Sequence, residues 1–141
     1  MNLNDLAAKL WPFLARLFCE TGTFTPTYYG STIAGTTTYA TQYGRYTRIG
    51  DVCYVTLRVD WTAVTGTGNG IVGGLPFVAG TSNQTAFVVL SQNYAYTNAG
   101  LVAYMFAGNQ FINLFDQVVG AFASAPIDAA GTLIITGFYF V

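Results

Sequence analysis

The sequence contains no histidine, and charged residues make up only 8% of it, against roughly 25% in an average globular chain. Without imidazole, Ser-His and Cys-His nucleophilic systems are excluded, and so are most zinc and iron sites. Five basic and six acidic residues leave a net charge of −1, too little of either sign to build the electrostatic footprint that holds phosphate backbones or anionic lipids. Nucleic acid is therefore not expected as a partner. The two cysteines, Cys19 and Cys53, fit neither a disulfide framework nor a four-ligand metal site, and both are expected as free thiols. No apolar run reaches the ~20 residues of a membrane span. The first residues set Asp5, Lys9 and Arg16 among apolar ones and lack the basic-then-apolar order of a signal peptide. Neither membrane insertion nor a metal or organic cofactor is expected.

What the chain does have is aromatic residues, at 16%, together with 16 glycines, in a length suited to one domain with a single sizeable core. With so few Lys and Glu, Thr and Tyr must supply most of the wetted surface, as in β-rich proteins whose surfaces touch other chains or sugars.

Residues 3–18, "LNDLAAKLWPFLARLF", place Leu3, Leu6, Leu10, Phe13 and Leu17 at alternating three and four spacings, one seam of a helix. Asn2 or Asn4 can cap its start, and Asp5 with Lys9 and Arg16 with Glu20 fall at i,i+4 on the wet side. Pro12 lacks a backbone donor and crowds the preceding turn, so a kink or two short helices are expected there. A helix this short is marginal alone and must form against its own domain, copies of itself or a partner's groove. Residues 1–20 are thus read as a helical anchor and oligomerisation segment, and residues 21–141 as a β domain.

In "DVCYVTLRVDW", Cys53, Val55, Leu57, Val59 and Trp61 share one face, opposite Tyr54, Thr56, Arg58 and Asp60, which is the signature of a half-buried strand. Later runs, "TAFVVLSQNYAY", "AGLVAYMFAG" and "QFINLFDQVV", are separated by turn residues, as in an antiparallel sandwich. The pattern predicts a mainly β fold, an antiparallel jelly-roll-like sandwich with a short N-terminal helical segment. The last strand, "GTLIITGFYFV", is apolar on both faces, with Ile134, Phe138 and Phe140 on the second. That face is expected to meet another subunit, although coverage by the N-terminal helix would satisfy the same pattern.

"GTGNGIVGGLPF", residues 66–77, contains a literal G-x-G-x-x-G at Gly68, Gly70 and Gly73. A dinucleotide site needs a helix after the glycines and an acidic residue about 20 positions on. Pro76 stops the helix, and the residues around Leu90 carry no charge. The stretch reads instead as a hairpin turn at Asn69-Gly70, with Gly73, Gly74 and Pro76 ending the next strand.

The carboxylates Glu20, Asp51, Asp60, Asp116 and Asp128 would suffice for a two-carboxylate glycosidase, but each reads as a solvated or turn group. Tyr28, Tyr29, Tyr43, Tyr94 and Tyr96, with Thr and Asn nearby, are candidates for glycan contact, since rings stack on apolar sugar faces while hydroxyls and amides read the polar edges. The competing reading puts these tyrosines in a subunit interface.

The segment "TPTYYGSTIAGTTTYATQYGRYTRIGDVCYVTLRVDW", followed by "GTGNGIVGGLPF" and closing on "LIITGFYFV", resembles the C-terminal β-module of phage tail-fibre and other virion-surface proteins. The likeness rests on the aromatic-Thr lead-in, the G-R-Y-T-x-I-G core from Gly44, the G-L-P-F turn and the terminal aliphatic-aromatic strand. No motif in it is catalytic. The resemblance implies a homotrimeric jelly-roll knob, broadly like tumour-necrosis-factor-type heads, made in the host cytoplasm, carried on the virion surface and touching host-surface glycans. It further implies a non-enzymatic protein that meets other virion proteins through the N-terminal helix. The brevity of the chain keeps a capsid decoration (head-fibre or cement) role as the alternative, with a glycan-degrading tailspike third.

Overall fold

The structure, a computed structural model, describes residues 1–95 and 100–141. Helix α1 (Leu3–Leu17) begins at Asn2, whose side chain accepts from the Asp5 N–H at 2.8 Å, so Asn2 is the cap and Asn4 is not. The expected break at Pro12 does not occur: α1 is one uninterrupted helix. A proline removes a single main-chain bond, and the helix is long enough on both sides to carry that loss. Every described side chain of α1 is exposed. The helix therefore does not cover the second face of the last strand, which leaves that face open.

Among the described residues ten strands follow: β1 (Cys19–Phe24), β2 (Thr27–Gly30), β3 (Thr37–Ile49), β4 (Val52–Val64), β5 (Gly70–Gly73), β6 (Thr85–Gln92), β7 (Leu101–Met105), β8 (Ile112–Val118), β9 (Ala121–Ser124) and β10 (Gly131–Phe140). They run β1-β3-β4-β10-β6-β7-β8-β5-β2, with β9 beside β8, and every pairing is antiparallel. The curl comes at β6. Its first residues, Thr85, Ala86 and Phe87, bond to β7, while residues 88–92 bond to β10. The protein is thus mainly β, an antiparallel sheet folded over into a half-barrel of jelly-roll-like form, as its strand spacing predicts.

Alternation decides what fills the space between the layers. On β4, Cys53, Val55, Leu57, Val59 and Trp61 are buried while Tyr54, Thr56 and Arg58 are exposed. On β10, Leu133, Ile135 and Tyr139 point the same way and meet Val72, Ala103, Met105, Ile112 and Leu114 from the other layer. Each large aliphatic side chain so buried contributes about 1.5–3 kcal/mol. Cys53 is buried and Cys19 exposed, both as free thiols.

The glycine stretch behaves differently from expectation. β4 and β5 do not pair; β5 pairs with β2 and β8, so residues 65–69 cross from one layer to the other and form no hairpin. Gly68 does require its freedom, with φ of +92°. Gly70 does not turn: a Cβ there would lie 2.7 Å from the Tyr94 hydroxyl and 3.0 Å from Leu114. Its role is to let β5 approach the core closely.

Candidate functional site

The predicted tyrosine platform divides. Tyr28 and Tyr94 are 0% and 6% exposed and cannot touch a glycan. Tyr28 stacks on Trp61 with ring centroids 3.9 Å apart. The Asp128 N–H donates to its hydroxyl at 3.0 Å, that hydroxyl donates to Tyr94 at 3.2 Å, and Tyr94 donates to the Pro126 carbonyl at 2.9 Å. The Trp61 indole N–H reaches the Asp128 carbonyl at 2.8 Å. The hydroxyls that suggested sugar chemistry instead satisfy loop backbone at one end of the core. Tyr29 alternates outward on β2 and is half-buried, Tyr43 is exposed, and Tyr96 lies outside the described residues.

Burial pushes the phenols of Tyr28, Tyr94 and Tyr139 above the usual tyrosine value of 10.0. A raised folded value means that the stability held by the neutral phenol is fully present below pH ~10 and is lost as pH climbs past it, because the unfolded chain ionises first. Each phenol kept neutral then removes about 1.4 kcal/mol per pH unit. We expect cooperative alkaline unfolding, with tyrosinate absorbance at 295 nm rising in step with loss of circular dichroism. Early ionisation of all tyrosines in a still-folded protein would contradict the burial.

The exposed chemistry lies on the outer face of the β1-β3-β4-β10-β6 layer. Register aligns Thr21, Thr47, Tyr54 and Phe138 in one row, and Thr23, Arg45, Thr56, Thr136 and Val88 in the next. A third row holds Tyr43, Arg58, Ile134 and Leu90. Apart from Val88, the residues of the first two rows line an open groove of about 470 Å³. The Tyr54 and Phe138 rings lie 5.8 Å apart, and Phe140 lies 6.0 Å from Phe138. The Thr56 and Thr136 hydroxyls bond at 2.9 Å. Arg58 and Asp60 pair bidentately at 2.8–3.0 Å. That contact holds the Asp60 carboxyl below its ordinary range and raises Arg58.

The residues expected at a subunit interface are all on the outside wherever they are described. Ile134 is half-buried between Leu90 and Arg58, and Phe138 and Phe140 are 45% and 39% exposed. Leu3, Leu6 and Leu10 are exposed along α1; the side chains of Phe13 and Leu17 lie outside the described residues. Sequence reasoning missed two features. One is Arg45 of β3 in the groove, whose other lining residues come from β1, β4 and β10 as well as β3. The other is an apolar hollow of about 290 Å³ on the opposite layer, lined by Val102, Tyr104, Phe106, Phe115 and Phe122. The alternate positions 102, 104 and 106 are all apolar in the sequence, and that was the available signal for a second exposed face.

The carboxylates are dispersed. Glu20 accepts from the Tyr46 hydroxyl at 2.8 Å, Asp51 is exposed in the β3–β4 turn, and Asp60 holds Arg58. Asp116 is buried, and Asp128 accepts from the Ala95 N–H. Among the described residues no carboxylate lines the groove. Among the described residues no cluster with metal-ligand composition forms, and no helix is long and apolar enough to cross a membrane.

No family model matches the chain, and no curated protein matches it. A solved structure does: 86% of this chain superposes on the Dettilon tailspike protein with a TM-score of 0.72 at 18% sequence identity. The match takes in 24% of that protein's chain, so the present chain has the fold of one β-module within a much longer tailspike.

Proposed function

We propose that the chain is a virion-surface attachment module, assembled as a homotrimer, which binds host-surface glycan through the groove on its β1-β3-β4-β10 face and does not cleave it. The observation that carries this reading is the groove itself, where threonine hydroxyls and aromatic rings share one open surface. Hydroxyls exchange hydrogen bonds with sugar hydroxyls, and rings cover the apolar faces of the sugar. The fold likeness to a tailspike module supports a place on a virion appendage. The absence of a carboxylate pair in the groove supports binding without hydrolysis, since glycoside cleavage needs two such groups flanking the bond. In this reading α1 supplies the trimer seam and the junction to other virion proteins, while Ile134 and Phe140 flank the groove.

The expected result is that purified protein labels susceptible cells and reduces adsorption of the parent particles in a dose-dependent way. Failure in both assays would overturn the attachment role. A second reading, capsid decoration, is favoured by the apolar hollow at Phe106, Phe115 and Phe122, which suits protein contact better than sugar. Counting copies per particle separates the two: many copies spread over the shell support decoration, and a few trimers at one vertex support attachment.

A further inference from the structure

We propose that the groove selects acidic saccharides, with Arg45 receiving the sugar carboxylate; this deepens the glycan-binding reading and rests on it. The charges facing the groove surface are few. Arg58 and Asp60 neutralise each other through a bidentate contact. Glu20, the acidic residue of β1, sits opposite Arg48 in the strand register, on the other face from Thr21 and Thr23, and accepts from Tyr46. Arg45 has no carboxylate partner among the described residues. It stands exposed between Thr23 and Thr56, its register partners on β1 and β4.

A guanidinium is a planar fork that matches a carboxylate with two parallel hydrogen bonds. One unopposed positive charge suits a singly charged carboxylate better than a phosphate dianion. Around it, Thr21, Thr47 and Thr136 offer hydroxyls, and Tyr54 with Phe138 forms a wall of rings at one end. The site therefore carries three elements of acidic-sugar recognition: an ion-pair donor, neutral hydrogen-bonding groups, and an apolar wall that a phosphate or sulfate ion would not use. Its volume of about 470 Å³ lies within the range of small-ligand sites, about 300–1,000 Å³.

The test uses the full chain and a panel of uronate- and sialate-bearing oligosaccharides, each paired with its own methyl ester, in titration calorimetry. The acids should bind about tenfold or more tightly than the esters, as expected for a charged hydrogen bond, and the preference should shrink with added salt. Arg45→Gln should abolish the preference, and Arg45→Lys should restore part of it. Phe138→Ala should weaken acid and ester alike. Equal binding of acids and esters, unchanged by Arg45→Gln, would overturn the acidic selectivity and leave the glycan-binding reading standing. Sulfated oligosaccharides binding as tightly as the acids would overturn the carboxylate assignment. No binding to any saccharide by protein that still labels cells would overturn both readings and point to a protein receptor.

Discussion

Replacing Tyr28 by Ala will cost about 5 kcal/mol of stability, whereas Tyr28→Phe will cost about 1–2 kcal/mol. The first figure combines two effects. Deleting a fully buried aromatic ring costs about 3–5 kcal/mol because the surroundings only partly collapse into the cavity, and this ring has no exposed surface and stacks directly on Trp61. Deletion also strands the part-buried Asp128 N–H, which now donates to the Tyr28 hydroxyl at 3.0 Å, and leaving that donor unsatisfied adds about 1–2 kcal/mol. Tyr28→Phe suffers only the second effect. Since domains of this size have total stabilities of about 5–15 kcal/mol, the Ala variant sits near the unfolding threshold. A urea titration followed by tryptophan fluorescence should show its midpoint displaced by about 2 M. Tyr43→Ala, on the exposed outer face, should move the same midpoint by no more than about 0.5 kcal/mol in equivalent stability. A Tyr28→Ala protein as stable as wild type would show that the ring is a surface group after all.

That comparison marks where the sequence could and could not be read. Strict alternation over residues 53–61 identifies the inward face of β4 because each buried position is unambiguously apolar and its neighbours are polar or charged. Tyrosine breaks that logic. Tyr28 and Tyr29 are adjacent and chemically identical, yet one is core and the other half-exposed, because the alternation of β2 turns Tyr28 inward onto Trp61, a residue far along the chain. The crossover at residues 65–69 was equally hidden: Asn69-Gly70 looks like a hairpin turn, but Gly70 is small because Tyr94 and Leu114 crowd it, a fact of tertiary packing. The groove was illegible for a further reason. Thr23, Arg45, Thr56 and Thr136 become one row only once β1, β3, β4 and β10 are placed in register. By contrast, the helical seam and the doubly apolar last strand were plain from periodicity, since each is a local pattern.

The seam leads to the second large effect: under the proposed trimeric reading, Leu6→Asp combined with Leu10→Asp will convert the proposed trimer to monomer. α1 is amphipathic, its described side chains are all exposed, and Leu3 at its start is 83% exposed. A helix of this length has little stability by itself, so an apolar stripe left in water should be neither helical nor soluble. In the proposed trimer, packing three such stripes together would remove leucine side chains from water at about 1.5–3 kcal/mol each, enough to hold both the helix and that assembly. Two aspartates per chain would crowd like charges onto that axis and reverse the balance. Light scattering should report one-third of the wild-type mass, and far-ultraviolet circular dichroism should lose its helical component while the β signal persists, because the sandwich core lies elsewhere. Phe138→Asp supplies the decisive contrast. If the outer sheet face is a ligand groove, this variant keeps the trimer mass and loses saccharide binding. If instead Phe138→Asp dissociates the assembly and the helix variant does not, the subunit contact lies on the sheet, the groove is closed in the trimer, and the attachment surface must be sought on another face.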